Sequence, residues 1–259
     1  MLGAARRPKH NVTMPLSLSN ISFAYARRRR LVLDDLSLEF ADGATLLLGP
    51  NGAGKSTILG LAATTLRART GSIHIDGVRA AGRQLRAYRR SLAWMPQDVQ
   101  VVPGLTVREQ VAYVGWLKGL RKKDAWHRAE GALDRVSLSA LADERPDRLS
   151  GGERRRLGVA QVLVHDATWM LMDEPTAGLD PLQRADFHVL VASLRHEINL
   201  VISTHQTEDI DSSYDNVVVI DGGQIRFDDS AAAFLALGAS QASVSEAVID
   251  AYRRTIAAI

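Results

Sequence analysis

The sequence predicts an α/β fold with a mostly parallel sheet, an antiparallel β subdomain and an inserted helical subdomain. The parallel sheet is indicated by short apolar runs that alternate with helical segments, at residues 169–172, 200–203 and 217–220. The antiparallel part is indicated by apolar residues at every second position in residues 16–23, with one slip at Asn20, and again in residues 36–40. We expect these two strands to pair.

Helical signals dominate residues 98–165, which we expect to form the inserted subdomain. Thr106 and Glu109 have the spacing of a capping box ahead of an apolar helical face. The segment before the first strand lacks apolar periodicity and predicts a flexible tail. The expected parts of the chain are therefore a flexible tail, a folded domain that includes the helical subdomain, and a helical C-terminal tail, at residues 1–13, 14–237 and 238–259.

The composition is that of an ordinary globular chain and excludes several chemistries. Hydrophobic residues make up 46% and charged residues 24%, and there are no cysteines, which excludes disulfides, thiolate metal sites and a cysteine nucleophile. The absence of a long apolar run predicts no membrane span and no signal peptide, so the expected location is the cytosol. The net charge is only +3, and the arginine clusters are typical of solvated faces, so we expect no nucleic-acid partner.

A glycine-rich segment carries the strongest chemical signal. It lies between an apolar strand at residues 45–48 and an apolar helix at residues 58–64, and it consists of Gly49, Pro50, Asn51, Gly52, Ala53, Gly54, Lys55, Ser56 and Thr57. Such glycines let main-chain N–H groups wrap a phosphate, and the helix N-terminus adds a favourable dipole. A chance glycine turn would not explain the strand before it and the helix after it. We therefore predict a P-loop NTPase core that binds ATP and Mg²⁺, with Lys55 on the β- and γ-phosphates and Ser56 on the metal.

Two acidic residues at the end of a later strand supply the other groups that phosphoryl transfer needs. Asp173 and Glu174 directly follow the apolar run 169–172, and parallel sheets place ligands beyond the carboxyl ends of their strands. Taken alone, such a pair is more often a loop or a helix start. Its position downstream of the phosphate loop favours Asp173 as an Mg²⁺ anchor, directly or through water, and Glu174 as the general base.

A second glycine-containing helix start follows Leu149. Ser150, Gly151, Gly152 and Glu153 open an amphipathic helix, with Ser150 as N-cap and Glu153 as its capping-box partner. Capping alone does not require two successive glycines, because they add chain entropy. A phosphate at this helix N-terminus would explain them.

These segments, with Gln97, Asp180 and His205, follow the order of the nucleotide-binding subunit of an ATP-binding cassette (ABC) transporter, which the chain resembles from about residue 16 to 237. The resemblance implies a dimer with two ATP molecules between its subunits, in which residues 149–153 of one chain face the γ-phosphate held by the other. It also implies that Tyr25 stacks on adenine, Gln97 senses Mg²⁺ and the attacking water, Asp180 crosses the dimer interface and His205 contacts the γ-phosphate.

The sequence departs from the family pattern in two places. Glu153 stands where the family more often has glutamine, and residues 64–70 lack the Pro-Gly turn that is common after the first helix. Residues 27–30, all arginine, follow Tyr25 in a loop whose length varies in the family. None of these departures removes a catalytic group.

The resemblance implies an ATP-hydrolysing subunit on the cytoplasmic face of the membrane that powers a separate membrane-spanning permease. Residues 101–109 and 117–120 are similar to exporter subunits whose membrane domains are separate chains, which favours export. Two alternatives remain at this point. One is a soluble ABC-type ATPase that acts on nucleic acid or the ribosome, and the other is a regulatory module that binds ATP without turnover.

Overall fold

The computed structural model describes residues 15–26, 30–210, 213–238 and 244–257. The predicted N-terminal tail and residues 27–29 of the arginine loop lie outside these ranges. The described chain forms two sheets surrounded by helices.

The smaller sheet is antiparallel and has the strand order β2-β1-β4-β5. The predicted pairing of the first two strands is confirmed, with Leu16 opposite Phe40 and Leu18 opposite Leu38. The slip at Asn20 is a local irregularity of the ladder, because Asn20 has a φ of 52° and the register shifts around it. The four strands are β1 (Leu16–Phe23), β2 (Leu33–Phe40), β4 (Thr70–Ile75) and β5 (Val78–Arg79).

The larger sheet has the strand order β10-β9-β3-β8-β7-β6, and all its neighbours are parallel except the pair β9 and β10. Its central strands are fully buried, which explains their continuous apolar sequences. The mostly parallel sheet that the sequence predicts is thus confirmed. Its strands are β3 (Ala44–Leu48), β6 (Leu92–Met95), β7 (Trp169–Asp173), β8 (Asn199–Thr204), β9 (Asn216–Asp221) and β10 (Gln224–Ser230).

Helices cover both faces of the larger sheet and create two hydrophobic cores. One core joins the antiparallel sheet to the first helix and one face of the larger sheet, and the other holds the opposite face and the later helices. The helices are α1 (Lys55–Ala62), α2 (Leu85–Ser91), α3 (Val107–Leu117), α4 (Lys122–Arg135), α5 (Gly151–Leu163), α6 (Pro181–Leu194), α7 (Ala231–Leu237) and α8 (Val244–Ala257).

The bounds of α1 correct the sequence prediction. The helix begins at Lys55, three residues before its apolar run, because Gly54 at the end of the glycine loop is the N-cap and helical conformation follows it directly. It ends at Ala62, and Thr64 already has a φ of 59°, so residues 63 and 64 do not continue it.

Helices α3, α4 and α5 occupy most of the segment expected to form the inserted subdomain, and they pack on one another. The predicted capping box is confirmed at the start of α3, where Thr106 and Glu109 cap each other's main chain. Over the described ranges, no helix has the length and hydropathy needed to cross a membrane.

Candidate active site

The parallel sheet brings together residues that are far apart in the sequence. Strands β3, β8 and β7 are neighbours, with Leu48 paired to Thr204 and Asp173 paired to Ser203. The segments that follow these three strands therefore leave the sheet at the same edge, where α/β proteins bind ligands. Strand β6 flanks β7 with Met95 opposite Met172, so the exposed Gln97 follows at the same edge.

The glycine loop between β3 and α1 is held close to the sheet. Gly49 donates a hydrogen bond to the carbonyl of Thr204 at 3.3 Å, and a Cβ at Gly49 would lie 2.2 Å from the carbonyl oxygen of Ile220. Gly52 and Gly54 have φ values of 82° and 112°, which side chains rarely adopt. The loop then ends in an α1 N-terminus without a side-chain cap, so its main-chain N–H groups are suited to an anion.

Lys55 lies buried in the centre of the site, with 4% of its surface exposed. Its Nζ donates to the carbonyls of Gly49 at 2.7 Å and Pro50 at 3.1 Å, and it lies 3.6 Å from Glu174 Oε1. Burial lowers the pKa of Lys55 below its usual 10.5, although the negative charge of Glu174 opposes this shift. The amino group is thus held between the loop and Glu174, where it can contact phosphate oxygens.

Ser56 and Asp173 form a pair of oxygen donors beside the loop. The Ser56 hydroxyl donates to Asp173 Oδ1 at 3.1 Å, and the same oxygen accepts a hydrogen bond from Ser203 at 2.6 Å. Hard oxygen donors suit Mg²⁺, which binds few protein ligands and completes its shell with phosphate and water. Among the described residues no cluster of three or more acidic, histidine or cysteine side chains could hold a metal alone. The donor set therefore fits an Mg²⁺ ion that arrives with a nucleotide.

Glu174 and His205 meet at the ends of neighbouring strands. Glu174 Oε1 lies 3.2 Å from His205 Nδ1, and about a third of the His205 side chain is exposed. The main chain of Glu174 has a φ of 45°, which is unusual for a residue with a side chain. Its N–H is fixed by the Ser203 hydroxyl at 2.9 Å and by the Ser203 carbonyl at 3.2 Å. The carboxylate and the imidazole thus face the space beside Lys55.

Tyr25 lies against the first helix rather than in a core. Its hydroxyl is 3.1 Å from the Thr57 hydroxyl, and its ring packs edge-on against Phe23 at 4.9 Å. The side chain keeps 41% of its surface exposed. An exposed ring beside the phosphate loop is suited to stacking on a base.

The Ser150–Glu153 segment begins α5 and forms the predicted capping box. Ser150 donates from its N–H and its hydroxyl to Glu153 Oε2, at 2.8 and 2.7 Å, and these bonds lower the pKa of Glu153. Ser150 and Gly151 are exposed, whereas a Cβ at Gly152 would lie 3.1 Å from Gln183 of α6. None of the side-chain hydrogen bonds of Ser150 and Glu153 in the described chain reaches the loop at residues 49–57.

Asp180 lies close to the Ser150–Glu153 segment, because both contact Gln183. It is the N-cap of α6, where its side chain accepts a hydrogen bond from the Gln183 N–H at 2.9 Å. The structure therefore forms two groups of predicted site residues. One contains Lys55, Ser56, Asp173, Glu174 and His205, and the other contains Ser150, Gly151, Gly152, Glu153 and Asp180.

Several polar residues of this region were missed by the sequence analysis. Ser203 binds both Asp173 and the main chain of Glu174, while Thr176 and Thr204 bind the buried Asp209. A signal was present in the sequence, because Ser203 and Thr204 end an apolar strand where fully buried hydroxyls are unexpected. Taken together, the glycine loop, its lysine and the acidic strand end define a P-loop nucleoside triphosphatase.

Comparisons with known proteins identify the family. The family model described as ABC transporter matches residues 33–177. The chain is 36% identical to the phosphonates import ATP-binding protein PhnC of Anaeromyxobacter dehalogenans, over 84% of this chain and 46% of that protein, so it spans about half the length of that relative. It is 33% identical to the energy-coupling factor transporter ATP-binding protein EcfA1 of Ligilactobacillus salivarius, over 81% of this chain and 76% of that one.

A solved structure agrees with this result. The fold superposes with a TM-score of 0.75 and 26% identity on cbiO1 of Clostridium perfringens, which is part of the ABC transporter complex cbiONQ, covering 85% of this chain and 90% of that one. The chain belongs to the ABC transporter family. The predicted cassette fold is confirmed.

Proposed function

We propose that this chain hydrolyses Mg²⁺-ATP at a site shared between two cassettes and that closing and reopening of this pair drives a separate permease. The observation that carries the proposal is the convergence of Lys55 and Ser56 with Asp173, Glu174 and His205 at one sheet edge. A phosphate-binding lysine, two metal-binding oxygens and a base are the groups that phosphoryl transfer to water requires.

The Mg²⁺ ion would be held by Ser56 and Asp173, directly or through water, together with the phosphates. When bound, it neutralises charge on the phosphate oxygens and orients the γ-phosphate for attack. Gln97 follows the neighbouring strand β6 at the same edge, which supports a role beside the metal and the attacking water.

The chain's own residues would then have separate roles in phosphate binding and in proton transfer. Lys55 leaves its loop carbonyls to contact the β- and γ-phosphates, and the α1 N-terminus binds the phosphates through its N–H groups. Glu174 takes a proton from the attacking water at its carboxylate, and His205 contacts the γ-phosphate. The contact between Glu174 and His205 supports these roles, because the attacking water lies next to the γ-phosphate and the two groups that contact them must therefore be neighbours.

A second cassette would complete the ATP site. Ser150 and Gly151 lie exposed at the N-terminus of α5, where main-chain N–H groups favour an anion, and Asp180 lies nearby at the start of α6. Because none of the side-chain hydrogen bonds of Ser150 and Glu153 in the described chain reaches the phosphate loop of the same chain, this surface remains available for the ATP held by a partner. Two copies of this chain, or this chain and a different cassette, would form two such sites.

We test the base assignment with Glu174→Gln. The variant should bind Mg²⁺-ATP with affinity within about twofold of the parent, lose at least about a hundredfold in phosphate release and elute as a dimer once ATP is added. Glu208→Gln removes the same charge from an exposed residue of the nearby turn and serves as the control. Hydrolysis at the parental rate in Glu174→Gln would contradict the assignment.

We further propose a peripheral location on the cytoplasmic face of the membrane and export as the direction of transport. Support for export is the resemblance of residues 101–109 and 117–120 to exporter subunits, while the phosphonates import relative favours import. Inverted membrane vesicles from cells with the parent or Glu174→Gln would decide the direction. ATP-dependent accumulation of a solute inside the vesicles, seen by mass spectrometry only with the parent, would support export, and ATP-dependent depletion would support import.

A further inference from the structure

A buried carboxylate lies behind the proposed catalytic pair. Asp209 ends the short 3₁₀ turn Thr207–Asp209 that follows His205, and only 1% of its surface is exposed. Its Oδ2 accepts hydrogen bonds from the hydroxyls of Thr204 at 2.5 Å and Thr176 at 2.8 Å. Both threonine side chains are buried as well, so the three groups form a closed polar cluster.

The two threonines connect this carboxylate to both catalytic segments. Thr204 ends β8 and directly precedes His205, while Thr176 is the second residue after Glu174. A single carboxylate oxygen therefore ties together the main chain that carries the imidazole and the main chain that carries the base. Because buried hydrogen bonds to a charged group are short and directional, this arrangement restricts both segments.

The other carboxylate oxygen faces α6. Asp209 Oδ1 lies 3.4 Å from His188 Nε2 and 3.9 Å from Arg184 Nε, and both residues belong to the helix that Asp180 caps. Burial alone raises the pKa of Asp209, but hydrogen bonds from His188, Thr204 and Thr176 outweigh it and bring the pKa below its ordinary 3.8. The carboxylate thus carries its charge in the folded protein and attracts groups from three elements.

The main chain of Glu174 gives a reason for such an anchor. A φ of 45° is unfavourable for a residue with a side chain and persists only where the surroundings fix it. Ser203 fixes the N–H of Glu174 on one side. On the other side, the turn from Glu174 to Ala177 is held by a main-chain hydrogen bond of 3.1 Å and by Thr176 on Asp209. Helix α8 packs against the 3₁₀ turn from outside and closes the cluster.

We propose that Asp209 is a positioning residue for ATP hydrolysis. It holds Thr176 and Thr204, and through them it keeps the Glu174 carboxylate and the His205 imidazole at their contact distance. Asp209 contacts neither nucleotide nor water in this role, and the inference rests on the proposed function, in which Glu174 is the base. Removal of the anchor should slow the chemical step while the phosphate loop continues to bind ATP.

The first test is Asp209→Asn, which keeps the shape of the side chain and removes its charge. We expect kcat for ATP hydrolysis to fall at least about tenfold, while KM and the Mg²⁺-ATP dissociation constant stay within about twofold. Glu208→Gln, in the same turn but exposed, should leave all three unchanged. A kcat within twofold of the parent, or a loss of ATP affinity as large as the loss of kcat, would overturn the proposal.

Threonine variants keep the proposal testable even if Asp209→Asn does not fold. Thr176→Val and Thr204→Val remove one hydroxyl each at nearly constant volume, whereas Thr176→Ser and Thr204→Ser keep it. We expect kcat to fall about threefold or more in each valine variant and to return to within twofold of the parent in each serine variant. A valine and a serine variant with equal kcat at the same site would show that the hydroxyl has no positioning role.

Measuring Glu174→Gln in parallel distinguishes a failure of the base assignment from a failure of the positioning role of Asp209. If Glu174→Gln is inactive while the Asp209 and threonine variants hydrolyse ATP normally, the positioning role fails and the base assignment stands. If Glu174→Gln itself turns over at the parental rate, the base assignment fails first, and the positioning role fails with it.

Discussion

His205 Nδ1 lies 3.2 Å from Glu174 Oε1, although the two residues directly follow different strands of the parallel sheet. The local sequence around either residue does not predict this contact, because each side chain belongs to a different strand-to-loop connection. The register of β7 against β8, which places Asp173 beside Ser203, creates the contact. The sheet therefore sets the distance between the Glu174 carboxylate and the His205 imidazole.

The contact predicts the effect of His205→Gln. We expect kcat to fall at least about tenfold, with the Mg²⁺-ATP dissociation constant changed less than about threefold. The reason is that the proposed contacts of the imidazole are the γ-phosphate and Glu174 rather than the base of the nucleotide. Single-turnover phosphate release and equilibrium ATP binding measure the two quantities. His196→Gln, at an exposed position past the end of α6, is the control, and equal losses in both variants would contradict the prediction.

Tyr25 is expected to bind adenine through its ring rather than its hydroxyl. Tyr25→Ala should weaken ATP binding by about tenfold, since stacking of a base on an aromatic ring contributes about 1–3 kcal/mol. Tyr25→Phe, which keeps the ring and loses only the contact with Thr57, should stay within about twofold. Tyr113→Ala removes an equally exposed tyrosine from α3 and serves as control. Fluorescence titration with an ATP analogue would report the three affinities, and equal values for Tyr25→Ala and Tyr25→Phe would refute the stacking role.

Gly49 and Gly131 should respond in opposite directions to alanine. A Cβ at Gly49 would approach the Ile220 main-chain oxygen to 2.2 Å, so Gly49→Ala should lower the free energy of unfolding by about 1–3 kcal/mol. A Cβ at Gly131 meets nothing within 4 Å in the middle of α4, so Gly131→Ala should raise it by about 0.5–1 kcal/mol. Urea denaturation followed by circular dichroism gives both values, and a neutral Gly49→Ala would show that the loop can move away from β9.

His165 should make the protein less stable as the pH falls. Burial, with a smaller contribution from the positive charge of Lys118, lowers the pKa of His165 from 6.5 to about 4. Between these values the unfolded chain binds a proton that the folded chain does not, so the free energy of unfolding decreases as the pH drops from about 6.5 toward 4. At full effect the loss is about 2 kcal/mol, allowing for the partial exposure of the ring.

The measurement is the free energy of unfolding at pH 7.5 and pH 5. His165→Gln removes the titrating group and should show a smaller difference between the two pH values than the parent. His127→Gln, at an exposed position on α4, should keep the parental difference. An identical pH dependence in the parent and His165→Gln would contradict the shift.

The sequence alone determined the chemistry of the site. Each of the main signals is local. A glycine loop must allow main-chain N–H groups to wrap a phosphate, Ser150 and Glu153 cap the helix they begin, and alternating apolar residues in β1 and β2 predict paired half-buried strands. Local conformational preferences and short-range hydrogen bonds require particular residue types at particular spacings, so they can be read without the fold.

Only the tertiary structure decided which of these groups meet. The order β3-β8-β7 brings Lys55, Glu174 and His205 together, and it gives Ser203 and Asp209 hydrogen-bond partners that no spacing in the chain indicates. It also separates the Ser150–Glu153 segment, which lies beside Gln183 at the start of α6, from the hydrogen bonds that join the catalytic groups. The physical reason is that strand order and register arise from burial of apolar surface over the whole sheet, and a buried carboxylate finds its partners only when distant segments pack around it.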